Sequence, residues 1–183
     1  MTTYHRRLSS FVYRLPMRLY YTLVDSPLGR MLVAATEKGL CFLGLGDTDS
    51  FLKSELAHDY PAADLCRDDA RLREWAESIL KHLNGQPSTL DLPLDVRGTE
   101  FQWQVWNAMR AIPTGETRTY GELAKSLGSP KAARAVGRAS ALNPVSIVIP
   151  CHRMVGSDGS LTGYRWGIER KRALLDRERK KAP

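Results

Sequence analysis

The chain has 183 residues, 43% of them hydrophobic and 26% charged, enough for one ordinary domain or two small ones whose cores need no disulfide or metal staple. No apolar run approaches the ~18 residues of a membrane span. The three cysteines (Cys41, Cys66 and Cys151) form no close pair and argue for a reducing compartment, while a formal net charge of +7 suits a polyanionic partner without identifying it.

In chain order, residues 1 to about 16 are basic (Arg6, Arg7, Arg14), free of acids and without the apolar segment of a secretory signal. The preferred readings are a flexible arm or a start codon upstream of the true one at Met17; organelle targeting stays open. Leu19 to Val24, Met31 to Ala35 and Leu40 to Leu45 read as three strands joined by turn-rich segments, an antiparallel meander in which Cys41 is a small buried hydrophobe. Ser50 to His58 and Asp69 to Leu83 have helical spacing, the second with Leu72, Trp75, Ala76, Ile79 and Leu83 on one face and Asn84-Gly85 as its stop. His58, His82, Cys41 and Cys66 lack the ligand-pair spacing of a zinc site. Leu90, Leu92 and Leu94 alternate with Asp91, Pro93 and Asp95, as in an edge strand or an extended linker.

Past Val96 the character changes. Thr99-Glu100 opens a helix with Phe101, Val105, Ala108 and Met109 on its face, ended by Ile112-Pro113-Thr114-Gly115. Tyr120 to Gly128 is a short helix, and Ser129-Pro130 reads as the N-cap and first-turn proline of the next. Two short helices joined by a glycine-containing turn fit a helix-turn-helix. In the second, Lys131, Arg134 and Arg138 recur at i, i+3 and i+7, with Ala132, Ala133, Ala135, Val136 and Ala139 opposite. Alone, such a row is a solvated face; the slimness of the helix favours close approach to a minor groove.

Val145-Ser146-Ile147-Val148-Ile149 then reads as a buried strand that delivers Pro150-Cys151-His152-Arg153 to a bend. A free thiol with a pKa of ~8.5 is only a few per cent thiolate at pH 7. Lowering that value by about two units needs about 2.7 kcal/mol, which a neighbouring imidazole can supply. Adjacent side chains of a strand point to opposite faces, so Cys151 and His152 cooperate only if the chain bends here.

With Asn143-Pro144, Pro150 to Arg153 and the helix-turn-helix in one stretch, residues 99–178 closely resemble the O6-alkylguanine-DNA alkyltransferases, the bacterial adaptive-response form in particular. The matching segments include Phe101 to Trp106, Ile112 to Thr117, Tyr120 to Ala124, Pro130 to Gly137 and Gly163 to Gly167. The resemblance implies an α+β fold: a basic arm (1–18), a small antiparallel-sheet α/β domain of ribonuclease H-like type (19–96) and a mainly helical domain (97–183) that binds DNA and transfers the alkyl group. It implies a monomer that uses no cofactor or metal, binds duplex DNA containing O6-alkylguanine and moves the alkyl group irreversibly to Cys151, in the cytoplasm of a prokaryote or the nucleus of a eukaryote. His152 and Glu178 would activate the thiol through water, and Asn143 would hold the helix-turn-helix against the active-site loop. Tyr120 would turn the phosphate and protonate the departing base, and Arg134 would fill the space the nucleotide leaves. Tyr164, with the backbone of Val155 and Arg165, would form the base pocket, and Lys131, Arg138 and Ala133 would complete the DNA-facing surface.

Trp166 stands where some members have glycine and is expected to narrow the pocket mouth against bulky benzyl-type adducts. Without the motif context, Tyr120 reads as a core aromatic, Arg134 as a surface charge, Tyr164 as packing and Glu178 as half of a solvated pair. The rival functions are an alkyltransferase-like lesion-binding protein, which carries another residue in place of the cysteine; a transcription regulator, whose reading helix needs polar readers that this helix lacks; and a thiol hydrolase, whose cysteine and histidine usually come from distant segments.

Overall fold

The computed structural model describes residues 17–86 and 90–180; the arm's Arg6, Arg7 and Arg14, and Lys181, lie outside the described residues. β1 (Arg18–Ser26), β2 (Gly29–Ala35) and β3 (Leu40–Gly46) form the expected antiparallel meander. A fourth strand, β4 (Asp64–Arg67), pairs parallel with β1, so the sheet runs β3-β2-β1-β4 and is mixed. Its sequence, Asp-Leu-Cys-Arg, buries only Leu65 in part, which leaves no apolar alternation to read.

Two helices cover the sheet. α1 (Asp49–Asp59), capped by Thr48, buries Leu52 and Leu56. α2 (Asp69–Leu83), capped by Asp68, buries Leu72, Ala76, Ile79 and Leu83 and is stopped at Asn84. The 90–95 stretch is an extended linker tied to β3 at one residue: Leu40 N donates to Pro93 O at 2.8 Å and Asp95 N to Leu40 O at 2.9 Å.

The second half is helical. α3 (Glu100–Arg110) starts with a Thr99/Gln102 capping box and buries Val105, Trp106 and Met109. The expected face omitted Trp106, whose indole nitrogen donates to Ala139 O at 2.9 Å and so joins this helix to α5 (Ala133–Ala141). α4 (Tyr120–Ser126) also has a capping box, Thr119 with Glu122. Ser129-Pro130 does not cap α5. Gly128, with φ 71°, donates to Lys125 O, and Ser129 N to Ala124 O. That pair of bonds is the Schellman closure of α4, so Ser129 belongs to the end of one helix rather than the start of the next. Residues 129–132 make a turn closed by Ala132 N to Ser129 O at 2.8 Å.

A two-stranded parallel ladder, β5 (Arg118–Thr119) with β6 (Met154–Val155), brings the start of α4 beside the segment that follows the cysteine. α6 (Ile168–Arg179) closes the described chain. The halves share one hydrophobic core in which Phe42 and Leu43 of β3 meet Val145, Ile147 and Trp166. Leu43 N donates to Pro144 O at 2.8 Å, so the sheet edge directly braces the turn that carries the cysteine. Among the described residues no helix is long and apolar enough to cross a membrane.

Candidate active site

The apolar run before Cys151 is not a strand. Val148 N donates to Ser146 O at 2.9 Å, a γ-turn centred on Ile147, whose φ of 74° is the strained form, at a cost of order 1–3 kcal/mol. A second i→i+2 bond, Cys151 N to Ile149 O at 2.8 Å, makes an inverse γ-turn at Pro150, with φ −80° and ψ 64°. Asn143 fastens this double turn: its Nδ2 donates to Ile149 O at 2.8 Å, and its Oδ1 accepts from Val145 N at 3.0 Å. Five consecutive buried residues carry no period that separates strand from turn. The chain then enters a 3-10 helix, Cys151–Arg153, which supplies a bend at the Cys151-His152 pair.

Cys151 lies at a cavity of about 550 Å³. The cavity is walled by Gly137, Ser140 and Ala141 of α5, Asn143 and Ser146 of the double turn, Tyr120, and the loop residues Thr162, Gly163, Tyr164 and Arg165. Cys151 as a residue is 8% exposed. Burial pushes its thiol up from the ordinary value, and the side chains of Asn143 and Ser146 and the Lys171 charge offset this only in part. Burial thus favours the neutral thiol, which needs a proton acceptor when it reacts.

The residues after the cysteine enter a buried polar cluster. His152 Nε2 lies 2.8 Å from Glu178 Oε1. Arg153 spans the same carboxylate, Nε to Oε2 at 3.0 Å and Nη2 to Oε1 at 2.9 Å, and its remaining donors reach Ile112 O and Thr114 Oγ1. Gly115 N adds a bond to Glu178 Oε2 at 3.3 Å. Burial alone would push Glu178 up, but the hydrogen bonds and charges of its partners hold it at about 2. Burial pushes His152 down against the pull of Glu178, so the imidazole is neutral and the carboxylate ionised. Neutral His152 then donates from Nε2 to Glu178, which leaves Nδ1 as an acceptor. Nδ1 is buried and has no hydrogen-bond partner among the described residues.

Tyr120, the first residue of α4, shares a 3.0 Å hydrogen bond with Thr162 Oγ1 across the cavity. The Tyr164 hydroxyl is buried without a hydrogen-bond partner among the described residues, and burial raises its pKa well above the ordinary value, keeping it a neutral phenol. Arg134 and Arg138 are exposed on α5 with Ala133 half-buried at its start; Lys131 is exposed but belongs to the preceding turn, not to the helix face. None of these three cations is in an ion pair among the described residues.

Two expected pocket residues are elsewhere. Val155 is buried in β6 against Thr119 and does not line the cavity. Trp166, 2% exposed, points away from the mouth into the N-terminal half. It meets Phe42 edge-on at 5.8 Å and lies against Gly44, where any Cβ would come within 2.9 Å of both rings. Its one tie to the cavity is Nε1 donating to Ser146 Oγ at 2.7 Å.

Three contributors are absent from the sequence reading. Lys171 is fully buried and donates from Nζ to Thr162 O at 2.8 Å. Arg153 anchors Glu178, and Ser146 lies between Trp166 and the thiol. A lysine at the inward position of an amphipathic helix and an arginine beside a buried histidine are the signals that could have exposed the first two.

Residues 100–180 match the family model described as 6-O-methylguanine DNA methyltransferase, DNA binding domain, and residues 19–96 its ribonuclease-like domain. The chain is 51% identical over 158 residues, 86% of its length, to the Escherichia coli bifunctional transcriptional activator/DNA repair enzyme Ada, and spans 45% of that protein. Thus it covers less than half of this relative. It is 41% identical over 160 residues to a Methanosarcina acetivorans methylated-DNA–protein-cysteine methyltransferase, covering 87% of the chain and 98% of the relative. The crystal structure of Mycobacterium tuberculosis OGT in complex with DNA superposes with a TM-score of 0.75 at 38% identity, over 91% of this chain and 95% of that one. By sequence along nearly its whole described length and by fold, the chain belongs to the 6-O-methylguanine DNA methyltransferase family.

Proposed function

We propose that this chain is a single-turnover methylated-DNA–protein-cysteine methyltransferase that takes an alkyl group from O6 of guanine in duplex DNA onto Cys151. The observation that carries this reading is a buried cysteine lining a cavity of about 550 Å³, followed in the chain by the His152–Glu178–Arg153 cluster. In the reaction the C–S bond forms as the C–O bond breaks. The thiol proton passes, through a water, to Nδ1 of His152, and the imidazolium so formed is stabilised by Glu178. The departing base is a poor leaving group as an anion, and the Tyr120 hydroxyl neutralises it by donating its proton. The product is a thioether, so the protein is consumed.

A guanine inside a duplex keeps O6 within the stack, and a cysteine 8% exposed cannot reach it there. The nucleotide must rotate out at a cost of a few kcal/mol. Arg134, exposed on the slim α5, fills the space it leaves, with Arg138 and Lys131 on phosphates. The neutral Tyr164 hydroxyl and the loop backbone at Arg165 supply hydrogen bonds to the extruded base.

The test is intact-protein mass spectrometry after incubation with a duplex containing O6-methylguanine. One methyl group should be gained per protein, on the peptide that contains Cys151. Cys151→Ala should gain none yet still bind the lesion duplex. Turnover of many equivalents, or transfer by the alanine variant, would refute the proposal.

A further inference from the structure

Among the described residues, every one that walls the cavity is residue 120 or beyond, and the N-terminal half contributes none. Yet one cavity wall is held from that half. Between Leu161 and Gly167 the loop has no regular secondary structure. Among the described residues, its one internal backbone bond is Gly167 N to Tyr164 O at 3.0 Å, so side chains must fix its shape. The Thr162 end is held by Tyr120 and Lys171, and the Trp166 end by Ser146.

The middle is held by Arg165. Its guanidinium donates to both oxygens of Asp59, Nη1 to Oδ2 at 2.7 Å and Nη2 to Oδ1 at 3.0 Å, and to Glu55 Oε2 at 2.9 and 3.2 Å. Glu55 and Asp59 are i and i+4 on α1, so one helix face presents both carboxylates. The same guanidinium is 4.8 Å from the Trp166 ring centroid and 5.6 Å from that of Phe42. Its side chain is one-quarter exposed. A bidentate, doubly paired and stacked arginine fixes direction as well as charge, which a surface ammonium cannot do.

Resting on the reading of Cys151 as alkyl acceptor, we infer that Arg165 is a positioning residue: clamped by Glu55 and Asp59 of α1, it sets the Tyr164 wall relative to the thiol. Tyr164 lines the cavity while the next side chain reaches away to α1, so releasing the clamp frees the tyrosine's own backbone. An in-line displacement is sensitive to misplacement on the ångström scale. The N-terminal half thereby acts on the rate of transfer without touching substrate.

The decisive experiment is single-turnover methyl transfer from an O6-methylguanine duplex over a range of DNA concentrations. It compares wild type, the double variant Glu55→Gln/Asp59→Asn and Arg165→Lys. Both variants should lower the rate at saturating DNA about tenfold, with the dissociation constant for unmodified duplex within about twofold of wild type. Arg165→Lys keeps the charge and loses the fork, so its loss reports geometry even if the double variant folds poorly. A wild-type saturating rate in the variants, or a loss confined to DNA affinity, overturns the clamp while leaving the assigned reaction intact. A wild type that gains no methyl overturns the reaction itself.

Discussion

Replacing Glu178 by glutamine tests whether the buried polar chain is ionic. The substitution keeps shape and leaves the Arg153 guanidinium, 6% exposed, without its counter-charge. In the folded protein Glu178 titrates at about 2, against an ordinary value of 4.5, which corresponds to about 3 kcal/mol of stability at pH 7. Breaking a buried pair by removing one partner costs 3–5 kcal/mol on independent grounds. Between pH 2 and 4.5 the unfolded chain binds a proton that the native state does not. The contribution is therefore complete above 4.5 and fades as the pH falls toward 2. Linkage puts the wild-type advantage at about 3 kcal/mol at pH 7 and about 2 kcal/mol at pH 3.5. His152, held neutral by burial below its ordinary 6.5, adds acid sensitivity of the same sign to both proteins. Urea unfolding followed by tryptophan fluorescence at pH 7, 5 and 3.5 measures the gap. No gap at pH 7, or one that does not shrink in acid, would refute an ionised Glu178.

Two further outcomes separate activation from binding. At pH 7.5 iodoacetamide should label exposed Cys66 well before Cys151, whose labelling should rise only above the ordinary thiol value of ~8.5; peptide mapping that finds Cys151 modified first would mean a preformed thiolate. Arg134→Ala should slow transfer from duplex about tenfold while single-stranded lesion DNA reacts within about twofold of wild type, and equal losses on both substrates would dismiss its role in extrusion.

The legible part of the site was the part carried by residue types with few alternatives. Cys151 with His152, the asparagine at 143 and the tyrosines at 120 and 164 all converge on one cavity or its scaffold. What stayed hidden depended on direction. Trp166 occupies the expected loop, but its ring goes to Phe42 and Gly44, because a flat apolar face is worth more against the shared core than at a wet mouth. Ser129 has the residue type of an N-cap, but the Schellman closure at Gly128 uses its backbone to end α4. Strand β4 escaped because it pairs by backbone alone at a polar edge. Lys171 and Arg153 looked like two more cations in a basic chain; only the fold reveals that one is fully buried and the other is wrapped around a carboxylate.

A neutral resting thiol suits the consumable acceptor proposed for Cys151. A permanently ionised cysteine would react with whatever electrophile or oxidant reached it, and each event would destroy one molecule. Burial of Cys151 raises the cost of the thiolate, while Asn143, Ser146 and Lys171 lower it once a proton leaves. His152 is likewise kept neutral, with its free nitrogen as acceptor and Glu178 already ionised 2.8 Å from the other. Moving one proton from sulfur to imidazole therefore creates two charges in a site built to receive them but not to hold them. In the proposed reaction the separation becomes favourable only when sulfur's electron pair is delivered to carbon, which would place selectivity in the coincidence of an extruded base and a proton transfer rather than in a reactive thiol.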